Sequence, residues 1–243
     1  MLTEPARSAY DLNFNFGGVP VRVHPWFWII TAIMGAQGSN GPLMLIWVAA
    51  VFVSVLVHEL GHALAIRYYG FHCHVVLYSL GGLAVQDSPG RRTSAMQVLI
   101  SLAGPAAGFA LALVLLVALQ VSSAPIRFVP FLISTPWYPY VGPFESRYFT
   151  VFVNDMLQVN IFWGLINLLP IFPLDGGQAA RAMLTHTNGG EGERQAKIVS
   201  IAAAAIVVYL ALTHHQPYLA LMFGYLGFIN YQSLNQWSSG SRW

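Results

Sequence analysis

Leu43-Met-Leu-Ile-Trp-Val-Ala-Ala-Val-Phe-Val-Ser-Val-Leu-Val-His58-Glu59-Leu60-Gly61-His62-Ala-Leu-Ala-Ile66 is an apolar run that carries three ionisable side chains near its end. Its length meets the about 20 apolar residues that a bilayer-crossing helix needs. The whole chain follows the same bias, with 56% hydrophobic and 8% charged residues in 243. A soluble domain carries roughly 25% charged residues, so these few charges cannot cover a water-exposed globule of this size. The expected fold class is an all-α polytopic membrane protein of about six transmembrane helices.

Working outward from this run, the other candidate spans are Trp26–Ala36, Met96–Val121, Phe149–Leu169, Ile198–Leu212 and Tyr218–Leu234. The first is short and interrupted by Gly35 and Gly38, and the fifth is also short. Six spans with a cytoplasmic N-terminus put Arg7, Arg22, Arg67, Arg91, Arg92, Arg181, Arg194, Lys197 and Arg242 on the cytoplasmic side, and only Arg127 and Arg147 opposite. That asymmetry obeys the positive-inside rule. It predicts a multi-pass protein of the plasma or inner membrane with both termini cytoplasmic. Met1 to Phe16 carries Glu4, Arg7 and Asp11 and no signal-peptide apolar core, so the first span is expected to target the chain.

Two stretches alternate like strands: Phe16–His24, and Val75–Gln86, which reads as two strands about a turn. They are expected as small membrane-associated strands on the cytoplasmic side, packed on protein or bordering a wet cavity, because open strands cannot face lipid. Ser122–Tyr148, rich in proline and aromatics, is expected as a loop along the interface. No repeat or accessory domain is visible, so residues 1–243 read as one domain, with a core at about 17–181 and further spans at about 198–234. The net charge of +2 suggests no nucleic-acid partner, and the single cysteine, Cys73, excludes an internal disulfide.

His58 and His62 are four apart. Four residues turn a helix by about 400°, so both imidazoles project from one face and can bind one zinc ion. Glu59 lies about 100° round from His58, off the ligand line, where a general base able to deprotonate water belongs. Each charge in an apolar span costs roughly 2.5–3.5 kcal/mol, so three such groups together point to function. Packing histidines paired with Glu59, or a zinc site without catalysis, are the plainer readings. Catalytic zinc needs a third protein ligand. Asp155 and Asp175 are the candidates at membrane depth. Asp175 follows a helix break containing Pro170, Pro173, Gly176 and Gly177, whose freed backbone groups must find partners. It serves as ligand, as N-cap for a helix Gln178–Leu184, or as both.

These residues resemble the site-2 protease family of intramembrane zinc metalloproteases. The resemblance rests on His58-Glu59-Leu60-Gly61-His62 paired with Asn167-x-x-Pro170-x-x-x-Leu174-Asp175-Gly176. Gly18–Pro25, a Gly81-Gly82 turn and Ala103-Gly104-Pro105 are similar to that family too. The resemblance implies peptide-bond hydrolysis in or near membrane-spanning helices, as in regulated intramembrane proteolysis. It implies one zinc ion on His58, His62 and Asp175, with Glu59 as base. Asn167 then holds substrate or steadies the oxyanion. The implied partners are single-span membrane proteins: a membrane-tethered transcription factor, an anti-sigma factor or a remnant signal peptide. This is expected to be a compact form without PDZ or CBS domains.

His58 lies about 12 Å deep, so water needs a polar path from the cytoplasm. The broken segment Pro170–Gly177 is the candidate wall. The strand edge at Leu83, Ala84 and Val85 is a candidate dock for an unwound substrate; a plain structural hairpin is the competing reading. His72 and His74 read as surface histidines, His214 and His215 as solvated in an outer loop, His24 as a cap on the first span, and His186 has no assigned role. Two other function classes compete with this reading. One is a catalytically silent zinc- or helix-binding membrane protein, which has no need of Glu59. The other is a transporter with structural zinc, which is expected to show an internal repeat.

Overall fold

The computed structural model describes residues 4–36, 41–79, 81–122, 126–130 and 137–240. Gly38, Leu80, Arg242 and parts of Ser122–Tyr148 lie outside the described residues. The apolar runs fold as six helices: α1 Pro25–Gly35, α2 Gly41–Tyr68, α3 Ser94–Val121, α4 Arg147–Asn167, α5 Asp175–Thr213 and α6 Pro217–Gly240. Of these, α2, α3, α4 and α5 are long and apolar enough to cross a membrane. The 11 residues of α1 make about 16 Å of helix, roughly half a hydrocarbon core. Along α3, Leu99, Leu113, Val114 and Val117 are more than half exposed. Such an apolar face is unfavourable in water and ordinary in lipid.

By contacts the chain divides into two units, residues 1–90 with 103–164, and residues 91–102 with 165–243. The first contains a four-stranded sheet in the order β1-β2-β3-β4. Strands β1 (Leu12–Phe16) and β2 (Val19–Val23) form a hairpin. Its turn holds Gly17 and Gly18 at φ of 57° and 79°, values that favour glycine. The expected strand Phe16–His24 is therefore two strands, the first starting at Leu12. Strand β3 (Cys73–Tyr78) runs parallel to β2, with Val21 opposite Val75. This is the arrangement that a helical crossover permits. Strand β4 (Gly81–Gln86) returns antiparallel to β3 and forms one edge of the sheet. Val19, Val21, Val23, Val75, Val76 and Leu77 are buried and form its core.

Three local expectations are corrected. Gly81 and Gly82 open strand β4 rather than forming the turn. Ser122–Tyr148 contains an antiparallel pair, β5 (Ile126–Pro130) and β6 (Trp137–Val141). The end of β6 is fixed by Asn154, which donates to the Val141 carbonyl at 2.7 Å and accepts from its N–H at 2.9 Å. Finally, α5 begins at Asp175 itself, with Leu174 at the cap position and no side-chain cap. It merges the expected short helix and fifth span across a break at Gly189, φ 54°.

Candidate metal centre

In the first unit, α2 places His58 and His62 on successive turns with Glu59 next to His58, and Glu59 and His62 are buried. The two Nε2 atoms lie 3.2 Å apart, with the rings at 77°. Two nitrogens each bound about 2.0–2.1 Å from a tetrahedral zinc are about 3.3–3.4 Å apart. The helix alone thus brings the pair close to chelating separation. The room for both rings comes from α3. A methyl group added at Gly104 would overlap His62 Nε2 and sit 2.8 Å from His58 Nε2. Only a residue without a side chain leaves room for both imidazoles. Gly61 performs the matching role on α2, where a Cβ would stand 2.5 Å from the Ala103 carbonyl and 2.7 Å from Ala107. These contacts give Gly61, Ala103 and Gly104 a physical reason: close approach of two helices around the two imidazoles.

The surroundings of Glu59 are shaped in the same way by the sheet. A Cβ at Gly82 would collide with Glu59 Cγ and lie 2.8 Å from its Oε1. Strand β4 therefore passes directly against the Glu59 carboxylate. Tyr78, at the end of β3, lies close enough to feel that charge. Burial and the Glu59 charge both push its phenol above its ordinary value, so it stays a neutral donor. Sequence reasoning did not single out Tyr78; its only signal was its place at the strand end next to the expected turn. Leu83, Ala84 and Val85 are half-buried in β4, paired with Val76, Val75 and His74 on β3.

One turn before His58, Ser54 accepts a hydrogen bond from Asn160 at 2.8 Å, and both are buried. Asn160 sits in a π-helical turn, Val159–Trp163, of α4. Buried amides and π turns of this kind cluster at functional sites. The signal for Asn160 was a polar residue inside a span.

In the second unit, the broken segment accounts for its backbone. Phe172 N–H donates to Ser200 Oγ at 3.0 Å, and Asn230 Nδ2 donates to the Phe172 carbonyl at 2.6 Å. Gln178 Nε2 donates to the Pro173 carbonyl at 3.2 Å. A Cβ at Gly176 would meet the Leu168 carbonyl, and one at Gly177 the backbone at Ile171 and Phe172. The two glycines let the segment fold back onto the start of α5. Asp175 is buried in the first turn of that helix, where the helix dipole favours a carboxylate. Asn167 ends α4, half-buried. Ser200 and Asn230 were missed in the sequence, although each is a polar residue in an apolar run.

His58 and His62 of the first unit offer two imidazole nitrogens to a metal ion, and Asp175 of the second unit offers a buried carboxylate. Two imidazoles and one carboxylate suit zinc.

The other histidines are placed elsewhere. His24 caps α1, accepting from Trp26 N–H. His74 contacts Asp87 at 2.7 Å and Glu4 at 3.3 Å. His72 and His186 are exposed, and His214 and His215 follow α5.

Comparison with known proteins adds the family. The model of peptidase family M50 matches residues 46–147 and 143–211. The chain belongs to peptidase family M50. It is 28% identical to a zinc metalloprotease of Methanocaldococcus jannaschii, over 72% of this chain and 46% of that protein. Stage IV sporulation protein FB of Bacillus subtilis is 26% identical over 65% of this chain and 45% of its own length. Among solved structures, the site-2 protease from Methanocaldococcus jannaschii superposes with a TM-score of 0.57 at 25% identity, covering 93% of this chain and 95% of that one. The chain spans less than half the length of these curated relatives. The four long apolar helices and this membership make it a multi-pass membrane protein of site-2 protease fold.

Proposed function

We propose that the chain is an intramembrane zinc metalloendopeptidase that hydrolyses peptide bonds in or near membrane-spanning segments. The observation that carries this reading is the converging His58 and His62 pair, with Glu59 beside it and Gly104 behind it. His58, His62 and Asp175 are the proposed zinc ligands. Zinc held there supplies a Lewis acid and lowers the pKa of water toward about 7. Glu59, one residue off the ligand face, takes the proton from the attacking water and delivers it to the leaving amine. Its burial and the pressing of β4 against it hold the carboxylate in one orientation. Asn167 donates to the oxygen that becomes negative as the carbonyl is attacked.

The edge of β4 at Leu83, Ala84 and Val85 is proposed to receive the unwound substrate as an added strand. Since that strand already touches Glu59 through Gly82, a segment added to its edge runs close to the base. The substrates proposed are single-span membrane proteins, such as a tethered transcription factor, an anti-sigma factor or a remnant signal peptide. The nine-to-two split of cationic residues supports cytoplasmic termini and a site opening toward the cytoplasm. The catalytic core is proposed at about 17–181.

The test uses purified chain in lipid, loaded with zinc, and a single-span reporter protein. Cleavage should appear, stop on chelation and return on zinc addition. Absence of any cleavage of a panel of single-span reporters by zinc-loaded protein would overturn the proposal.

A further inference from the structure

Within the second unit, a cavity of about 320 Å³ opens between the start of α3 and the first turns of α5. Its lining includes the polar side chains of Arg92, Thr93, Ser94, Gln97, Arg181 and Thr185. Thr93 accepts from Met96 N–H at 3.2 Å, and the other early N–H groups of α3 add partial positive charge at this end. Arg181 lies over the Phe172 ring at 5.6 Å and meets Glu193 at 3.0 Å. That carboxylate is shared with Lys197 at 3.8 Å. Arg181 and Lys197 share that one carboxylate, and Arg92 adds a further cation to the cavity lining, leaving the neighbourhood positive. Cationic pockets at helix ends by the membrane surface suit phosphate-bearing headgroups, and a guanidinium pair suits a phosphate's oxygens.

We propose that this cavity binds a phosphate-bearing anion, through Arg92 and Arg181. A hydrogen-bonded relay leaves the cavity. Arg92 Nη1 donates to Gln97 Oε1 at 3.1 Å, Gln97 Nε2 to Gln178 Oε1 at 3.4 Å, and Gln178 Nε2 to the Pro173 carbonyl at 3.2 Å. Pro173 is two residues before Asp175. An anion that draws Arg92 away from Gln97 therefore loosens the turn that presents Asp175, a consequence that rests on Asp175 being a zinc ligand.

The test is native mass spectrometry of the full zinc-loaded chain released from detergent, titrated with phosphatidylglycerol, phosphatidylcholine or inorganic phosphate. Wild type should retain one phosphatidylglycerol, preferred over phosphatidylcholine by about twenty-five-fold, since each of the two arginines near an anionic headgroup contributes about fivefold. Arg92→Gln with Arg181→Gln should erase the preference, and Arg181→Lys should keep part of it. Arg194→Gln, at an exposed arginine that pairs with Glu191 and lies outside the cavity lining, should change nothing. If inorganic phosphate displaces the lipid at millimolar concentration, the free anion is the source and the site stands. Equal retention of both lipids by wild type, with no bound phosphate, would overturn the proposal. So would loss of preference in Arg194→Gln equal to that in the double variant. The readout is bound mass, so it does not depend on whether the chain cleaves peptides.

Discussion

The two places that carry the proposed ligands are built by opposite means. His58 and His62 stand on an uninterrupted helix, and the regular rise and turn of α2 sets their 3.2 Å separation. Asp175 stands where a helix fails. Between Asn167 and Asp175 the backbone leaves the helical path, and Ser200, Asn230 and Gln178 take up the freed groups. A periodic pattern can be specified by neighbours in sequence. A break inside a membrane can be stabilised only by partners far along the chain, since lipid offers none. The first half of the proposed centre is therefore local in origin and the second is tertiary.

The largest effect should come from the local half. His58→Ala or His62→Ala should abolish cleavage and bound zinc together, checked by metal analysis and a reporter assay. Glu59→Gln should keep zinc and lower the cleavage rate by about 10²–10⁴-fold. A Gln variant that cuts normally would remove the general-base role. Next, Gly104→Ala inserts a methyl group into the space of both Nε2 atoms. Zinc affinity should fall by roughly 10–100-fold, as for disturbed supporting contacts, and a competitive chelator titration reads this.

The tertiary half predicts a different signature. Asn230→Leu orphans the Phe172 carbonyl and should cost about 1–3 kcal/mol of stability, read as a lowered unfolding midpoint in detergent. Zinc affinity should fall with it, whereas the same polar-to-apolar change at exposed Gln232 should move neither. The smallest effect concerns the sheet. Burial pushes Asp11 up, but hydrogen bonds from Arg22 at 2.9 Å and the Ser8 N–H at 3.0 Å, with the charges of Arg22 and His24, hold its carboxyl below the usual range. A depressed folded pKa contributes stability above the unfolded value, lost as pH falls through the folded one. Asp11→Asn should lower the midpoint at neutral pH and flatten its decline in acid.

The same contrast explains what was legible in the sequence. The long apolar runs gave α2, α3 and α4 to within a few residues, because burial in lipid needs only length and composition. His58, Glu59 and His62 were readable because helical spacing fixes which side chains share a face. The β5–β6 pair was missed because Pro- and aromatic-rich segments carry no alternation, and its end depends on Asn154 from α4. The sequence suggests a turn at Gly82, although the reason for this glycine is the Glu59 side chain resting on it, a contact that no local pattern displays. Ser200 and Asn230 each carried only the weak signal of a polar residue in an apolar span.

The joining of the local and tertiary halves into one centre is tested most directly by zinc stoichiometry. Metal analysis of purified wild type, Glu59→Gln and Asp175→Ala, each after dialysis against a weak chelator, should give one zinc per chain for the first two and a clear loss for the third. Retention of one zinc by Asp175→Ala would contradict the account and return the third ligand to another residue.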